Sequence, residues 1–114
     1  MNPGEIHLAM FPFGGTIGAK LRPVLLLTDS LGSVPEFLTA YMTSVIPPNL
    51  LPTDILIDPK QPQYVGCGLK QVTLLRLHKL ATLHDGDIMR NLGRVSSTTW
   101  KDIETKLRLL LNLP

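Results

Sequence analysis

The chain has 114 residues, 44% hydrophobic and 18% charged, with 10 prolines, 9 glycines, one cysteine and a formal charge of +2. A chain of this size buries roughly two-thirds of its unfolded surface, enough for one domain spanning residues 1–114 with its own core. The lone Cys67 excludes an internal disulfide and a cysteine-based zinc site, and no apolar run approaches the roughly 20 residues needed to span a bilayer.

The small net charge is the sum of unlike halves. Residues 1–57 hold two basic and four acidic side chains, whereas residues 58–114 hold nine and five, so the second half is basic. The first basic residue is Lys20, and Glu5 precedes it, the reverse of a targeting segment, so a reducing cytoplasm is the expected compartment.

In chain order, Glu5–Phe11 alternates Ile6, Leu8 and Met10 against Glu5, His7 and Ala9, the period-two pattern of a half-buried strand that Pro12 ends. Residues 13–21 (FGGTIGAKL) hold three glycines without a sustained period and read as a loop. Residues 24–28 are an apolar run typical of a central strand, with Pro23 placed at the strand entrance, where its missing N–H is tolerated. Turn chemistry at residues 29–35 (DSLGSVP) leads to a longer strand at residues 36–46 (EFLTAYMTSVI). A proline-rich loop at residues 47–52, a short strand at Asp54–Ile57 and a connector at residues 61–68 follow. Residues 71–77 and 88–95 supply further strands, with HDGD at residues 84–87 as a turn between them. In the tail, Trp100, Ile103, Leu107, Leu110 and Leu111 form the stripe of an amphipathic helix that Ser96 caps. Five or six short strands and one C-terminal helix predict a mainly β chain, a small, strongly bent barrel with the helix packed on it.

Most catalytic signatures are absent. Gly14, Gly15 and Gly18 match neither a phosphate loop nor a dinucleotide fingerprint. His7, His78 and His84 lie on three segments without metal-ligand spacing, so no metal site is expected and none of them is assigned a catalytic role. His84, beside Asp85 and Asp87, reads as a turn cap or a solvent-facing group. No serine sits in a Gly-x-Ser-x-Gly elbow, and Cys67 between two glycines reads as a structural thiol. What remains is residues 20–29 (KLRPVLLLTD), where Pro23 holds Arg22 extended and so aims a planar, permanently charged fork suited to a phosphate. A second feature is Met42-Thr43-Ser44, whose two hydroxyls alone are ordinary for a strand.

Residues 4–13 (GEIHLAMFPF), 22–29 (RPVLLLTD), 40–44 (AYMTS) and 69–80 (LKQVTLLRLHKL), with Arg94-Val95-Ser96 ahead of the helix, together resemble the MazF/PemK family over nearly the whole chain. That family is the toxin half of bacterial toxin–antitoxin pairs. The resemblance implies an SH3-like barrel with a C-terminal helix, acting as a homodimer. It implies an endoribonuclease that cuts single-stranded RNA, usually mRNA at short sequences, without metal or cofactor, and a cognate antitoxin whose C-terminal segment blocks the RNA channel. Arg22 and Thr43 fall on the family's catalytic pair, which promotes attack of the 2′-OH on the adjacent phosphorus to leave a 2′,3′-cyclic phosphate and a 5′-OH. Ser44, which an ideal strand turns to the opposite face, is an accessory candidate. Lys20, Thr16, Lys70, Arg76, Lys79 and Arg90 are candidates along the RNA. Phe13, Tyr41 and Tyr64 are candidate platforms for base stacking, with core packing the better account of Tyr41. The alternative is a non-catalytic protein on the same barrel, a CcdB-like topoisomerase-binding toxin or a toxin that has lost activity, and it needs no aligned arginine and threonine.

Overall fold

The computed structural model describes residues 1–12 and 20–114, so the readings that fall on residues 13–19, Phe13 and Thr16 among them, lie outside the described residues. Among the described residues there are six strands and one α-helix: β1 Glu5–Phe11, β2 Lys20–Leu26, β3 Glu36–Thr43, β4 Asp54–Ile57, β5 Thr73–His84, β6 Ile88–Arg94 and α1 Ser97–Leu111. The strands form one antiparallel sheet in the order β4-β5-β3-β2-β1-β6. None of the described helices is long and apolar enough to cross a membrane.

Most elements form where period and turn residues place them, and the differences concern how far strands extend. β2 begins ahead of its apolar run, so Pro23 lies inside it, paired with Leu8 of β1. The ladder from β2 to β3 starts only at Val24, so the proline sits in a stretch with a single strand neighbour, where it is tolerated. β3 ends at Thr43 rather than running on to Ile46. β5 is 12 residues long because a register shift opposite Ala40 and Tyr41, whose partners are Leu80 and Arg76, loops out Leu77, His78 and Lys79 and bends the strand. That bend interrupts the two-residue period, and Leu77 N–H instead donates to Thr53 O at 3.0 Å.

The sheet curls, and both of its faces are covered. One core gathers Ile6, Leu25, Ala40 and Met42 with Ile55 and Ile57 of β4, Leu75 and Leu77 of β5 and Ile103 of α1. Residues of β1 and β4, far apart in strand order, meet there only because the sheet bends round. The other core holds Ala9, Phe11, Val24, Leu26, Phe37, Tyr41 and Leu83. This corrects the one-faced reading of β1: His7, Ala9 and Phe11 are buried with Ile6, while Leu8 and Met10 are half-buried. The helix begins as expected, Ser96 Oγ accepting the Thr99 N–H at 3.2 Å, and Asn112 ends it in the left-handed conformation (φ 56°). Ile103 is its buried anchor, whereas Leu111, counted in the apolar stripe, is 53% exposed.

The connector between β4 and β5 completes the curl. Arg94 N–H donates to Gly66 O at 2.9 Å, and the connector backbone lies directly on β6. A β-carbon at Gly68 would overlap Leu92 O, and one at Gly93 would overlap Gly66 O. Gly66 itself has a positive φ of 88° but open space around it. Gly68→Ala and Gly93→Ala are therefore expected to cost about 3 kcal/mol or more through backbone displacement. Gly66→Ala should cost only the left-handed strain, about 1–2 kcal/mol. Urea unfolding of the three variants measures that order.

Candidate functional site

The site opens where β2 and β3 part. Their ladder runs Val24↔Tyr41, Leu25↔Ala40 and Leu26↔Thr39. Continuing that register beyond its last pair brings Arg22 level with Thr43. In the gap lies a cleft of about 380 Å³. Residues 21–23 of β2, residues 42–44 at the end of β3, residues 68–71 of the connector, Thr73 of β5, Leu8 of β1 and Arg90 and Leu92 of β6 line it. Among the described residues that line it, three are cations, Arg22, Lys70 and Arg90, and none is a carboxylate. A concave site lined by one sign of charge attracts a polyanion even when the whole chain carries only +2.

Strand alternation places Arg22, Tyr41 and Thr43 on one face of the sheet, and Pro23 and Met42 on the other. The guanidinium carbon of Arg22 lies 5.4 Å from the centroid of the Tyr41 ring. Its Nε is buried without a hydrogen-bond partner among the described residues. A buried donor unmet among the described residues costs about 1–3 kcal/mol, so the Arg22 Nε does not add to the stability of the fold. Thr43 is buried, and its Oγ1 accepts the Val45 N–H at 3.1 Å, which leaves its O–H to donate. Ser44 is exposed and lines the same cleft, because β3 ends one residue before it and the alternation stops there.

The other expected residues divide. Lys70 and Arg90 line the cleft. Lys20 is exposed at the start of β2, opposite Phe11, and is not among the lining residues. Arg76 is committed elsewhere: its Nε donates to Asp54 Oδ1 at 3.0 Å and its Nη2 to Asp54 Oδ2 at 3.3 Å, and that buried carboxylate also accepts the Leu51 N–H at 2.8 Å. Lys79 does not line the cleft but places its Nζ 5.3 Å from the Tyr41 ring centroid. Tyr41 is buried with its ring 5.2 Å from that of Phe11, and Tyr64 packs against the first core, so both serve packing.

The histidines are structural in their contacts. His84 Nδ1 accepts the Gly86 N–H at 3.1 Å and caps the turn at Asp85–Asp87. His7 is hydrogen-bonded to Glu5 at 2.8 Å, with Asn91 donating to the same carboxylate at 3.0 Å. Burial alone would raise the Glu5 carboxyl, but the His7 hydrogen bond and the positive chain terminus outweigh it and hold its pKa below the ordinary value. His78 shares a 2.9 Å hydrogen bond with Thr53. Burial, then the nearby Arg76 charge, lowers its pKa against the opposing pull of Asp54. Cys67 is buried, and its Sγ accepts the Leu69 N–H at 3.5 Å. Among the described residues no three histidine, cysteine or acidic side chains converge as a metal site.

Sequence reasoning missed the wall formed by Gly68, Leu69, Gln71 and Leu92. The signal was the paired glycines around Cys67 together with Gly93, which a turn alone does not require.

A family model described as the PemK-like, MazF-like toxin of type II toxin–antitoxin systems matches residues 2–111. No curated protein matches. Solved structures with the same fold include the Mycobacterium tuberculosis toxin MazF-mt6, at 21% identity over 96% of this chain and 98% of that one, with a TM-score of 0.74. A mycobacterial endoribonuclease in complex with its cognate antitoxin aligns at 19% identity over 100% of this chain and 97% of that one, with a TM-score of 0.72. MazF from Deinococcus radiodurans aligns at 16% identity over 99% and 97%, with a TM-score of 0.69.

Two outcomes follow from the electrostatics. Arg22→Met should leave stability within about 1 kcal/mol of the parent, since it removes an unmet buried donor along with a ring contact, whereas Asp54→Ala should cost about 3–5 kcal/mol by stranding Arg76; denaturant unfolding compares them. His78 binds its proton more weakly in the folded chain than in the unfolded one, whose value is 6.5. Its contribution is full above that pH and is lost as pH falls through the folded value. His78→Asn should therefore flatten the decline of stability on acidification below pH 6.5, measured by urea titrations across that range.

Proposed function

The chain belongs to the PemK-like, MazF-like toxins of type II toxin–antitoxin systems, and on that premise we propose that it is an endoribonuclease that cuts single-stranded RNA with Arg22 and Thr43. The observation that carries this reading is the buried Arg22 Nε, unpartnered among the described residues and on the same sheet face as Thr43, whose hydroxyl accepts one N–H and still has its proton to give. Both donors suit the oxygens of a phosphodiester.

Transesterification needs no outside nucleophile. The 2′-oxygen attacks the adjacent phosphorus, forming an O2′–P bond as the P–O5′ bond breaks, and the proton lost from the 2′-OH is balanced by the one that O5′ takes up. The products are a 2′,3′-cyclic phosphate and a 5′-OH. Arg22 stabilises the charge that gathers on the phosphorane oxygens, a contribution of about 3 kcal/mol for a well-placed donor. A guanidinium is permanently charged, so Arg22 meets that charge electrostatically and delivers no proton. The Thr43 hydroxyl donates to the phosphate and orients it. Lys70 and Arg90 line the path of the neighbouring phosphates, and Ser44 stands at its lip. Arg76 drops out of the RNA-contacting set, since it does not line the cleft and its charge is paired with Asp54 through Nε and Nη2.

The homologous mycobacterial endoribonuclease is known in complex with its cognate antitoxin. For this chain the corresponding partner is an antitoxin whose acidic segment covers the cationic cleft. The active assembly is a homodimer, and its mRNA substrate places its action in the cytoplasm. The test is incubation of the purified protein with a varied pool of single-stranded transcripts in EDTA, with analysis of the ends. Cyclic phosphate termini are expected, with cleavage reduced by about 100-fold or more in folded Arg22→Ala and Thr43→Ala variants. Intact RNA would turn the reading toward a non-catalytic toxin on this barrel, and cleavage only with added metal would contradict the mechanism.

A further inference from the structure

We infer that Tyr41 is a positioning residue for Arg22: its ring holds the guanidinium by a cation–π contact and so keeps the N–H donors available to a phosphate. This rests on Arg22 being the phosphate ligand proposed above.

An arginine that must meet a ligand with its donors correctly placed needs an anchor. The usual anchor is a carboxylate, which occupies those donors and neutralises the charge. Arg76 shows that solution in this protein, with its Nε and Nη2 both bonded to Asp54. Arg22 is built differently. Among the described residues no carboxylate forms an ion pair with it, its Nε makes no hydrogen bond, and what lies against its guanidinium is the Tyr41 ring at 5.4 Å. An aromatic face attracts a cation through its quadrupole and uses none of its hydrogen-bond donors.

The ring is suited to this because it cannot easily move. Tyr41 is only 8% exposed, and its ring packs against Phe11 at 5.2 Å with an interplanar angle of 46°. The register brings the two residues together: Tyr41 pairs with Val24, so Arg22 is its diagonal neighbour on the same face, within reach of an aromatic side chain. The looped-out stretch of β5 brings Lys79 Nζ to 5.3 Å from the same ring. An aliphatic residue at position 41 would fill the core but leave these cations without that attraction.

The test separates packing from the charge–ring contact. Phenylalanine and progressively fluorinated phenylalanines at position 41 keep the ring's shape while weakening and then reversing its quadrupole, and Tyr41→Leu removes the ring. Thermal unfolding checks the fold, and kcat and KM are measured on a short RNA. Tyr41→Phe should retain activity within about threefold. Cleavage should then fall stepwise with fluorination, by about tenfold in kcat at pentafluorophenylalanine, with KM within about twofold. In an Arg22→Ala background, followed under single-turnover conditions, the same series should have no further effect. A kcat that stays flat across the series overturns the inference, as does an equal loss in the Arg22→Ala background, and either result leaves Arg22 in place as phosphate ligand. Cleavage by Arg22→Ala at the parent rate would instead remove the site assignment itself, and this inference with it.

Discussion

The backbone of the connector after β4 lies on β6 so closely that at Gly68 and Gly93 no β-carbon fits. Everything about the cleft depends on that contact. β4 and β6 are opposite ends of the sheet, and a flat sheet would leave Lys70 and Arg90 far apart. Curling the sheet until the connector meets β6 makes them walls of one cleft, with Arg22 and Thr43 on the lip where β2 and β3 separate. The closure also gives the sheet two packed faces, which is how a chain of 114 residues fills two apolar clusters with so few aromatic side chains.

Two arginines are held in opposite ways. Arg76 is bonded to a buried carboxylate that also takes a backbone N–H, a network whose parts are costly to remove singly. Arg22 has a buried donor unmet among the described residues and a ring beside it. A polar group left unsatisfied in a folded chain disfavours the fold, and such groups concentrate where a ligand completes them. The charge pattern agrees. The cations lining the cleft come from both halves of the sequence, one acidic and one basic overall, and among the described residues no lining residue is acidic.

Much of this is legible in the sequence. β1 and β4 fall on their expected residues, and the Ser96 cap forms, because those features are local: a two-residue period, flanking prolines, a hydroxyl ahead of an apolar stripe. The family resemblance marks Arg22 and Thr43, Pro23 gives Arg22 a physical reason to be aimed, and the structure brings the two residues to one cleft. What was not legible is long-range. The bend at residues 77–79 of β5 hides a 12-residue strand because the partner strand, not the local period, sets it. Both faces of β1 are buried because the sheet curls, and alternation cannot report that. Asp54 lies 22 positions before Arg76, so nothing local marked Arg76 as occupied. Gly66 and Gly68 read as part of a connector and Gly93 as part of a strand until the backbone of one segment is seen lying on the other.

The central claim is that this cleft makes the RNA's own 2′-oxygen the nucleophile, with Arg22 and Thr43 holding the phosphate it attacks. The most direct measurement uses an oligoribonucleotide containing one cleavage site and a copy carrying a single 2′-deoxynucleotide on the 5′ side of the scissile phosphate. The unmodified strand should be cut at that linkage, and the modified strand should bind with comparable affinity and stay intact there. Cleavage of the deoxy linkage would show that another nucleophile performs the attack and would contradict the proposed chemistry.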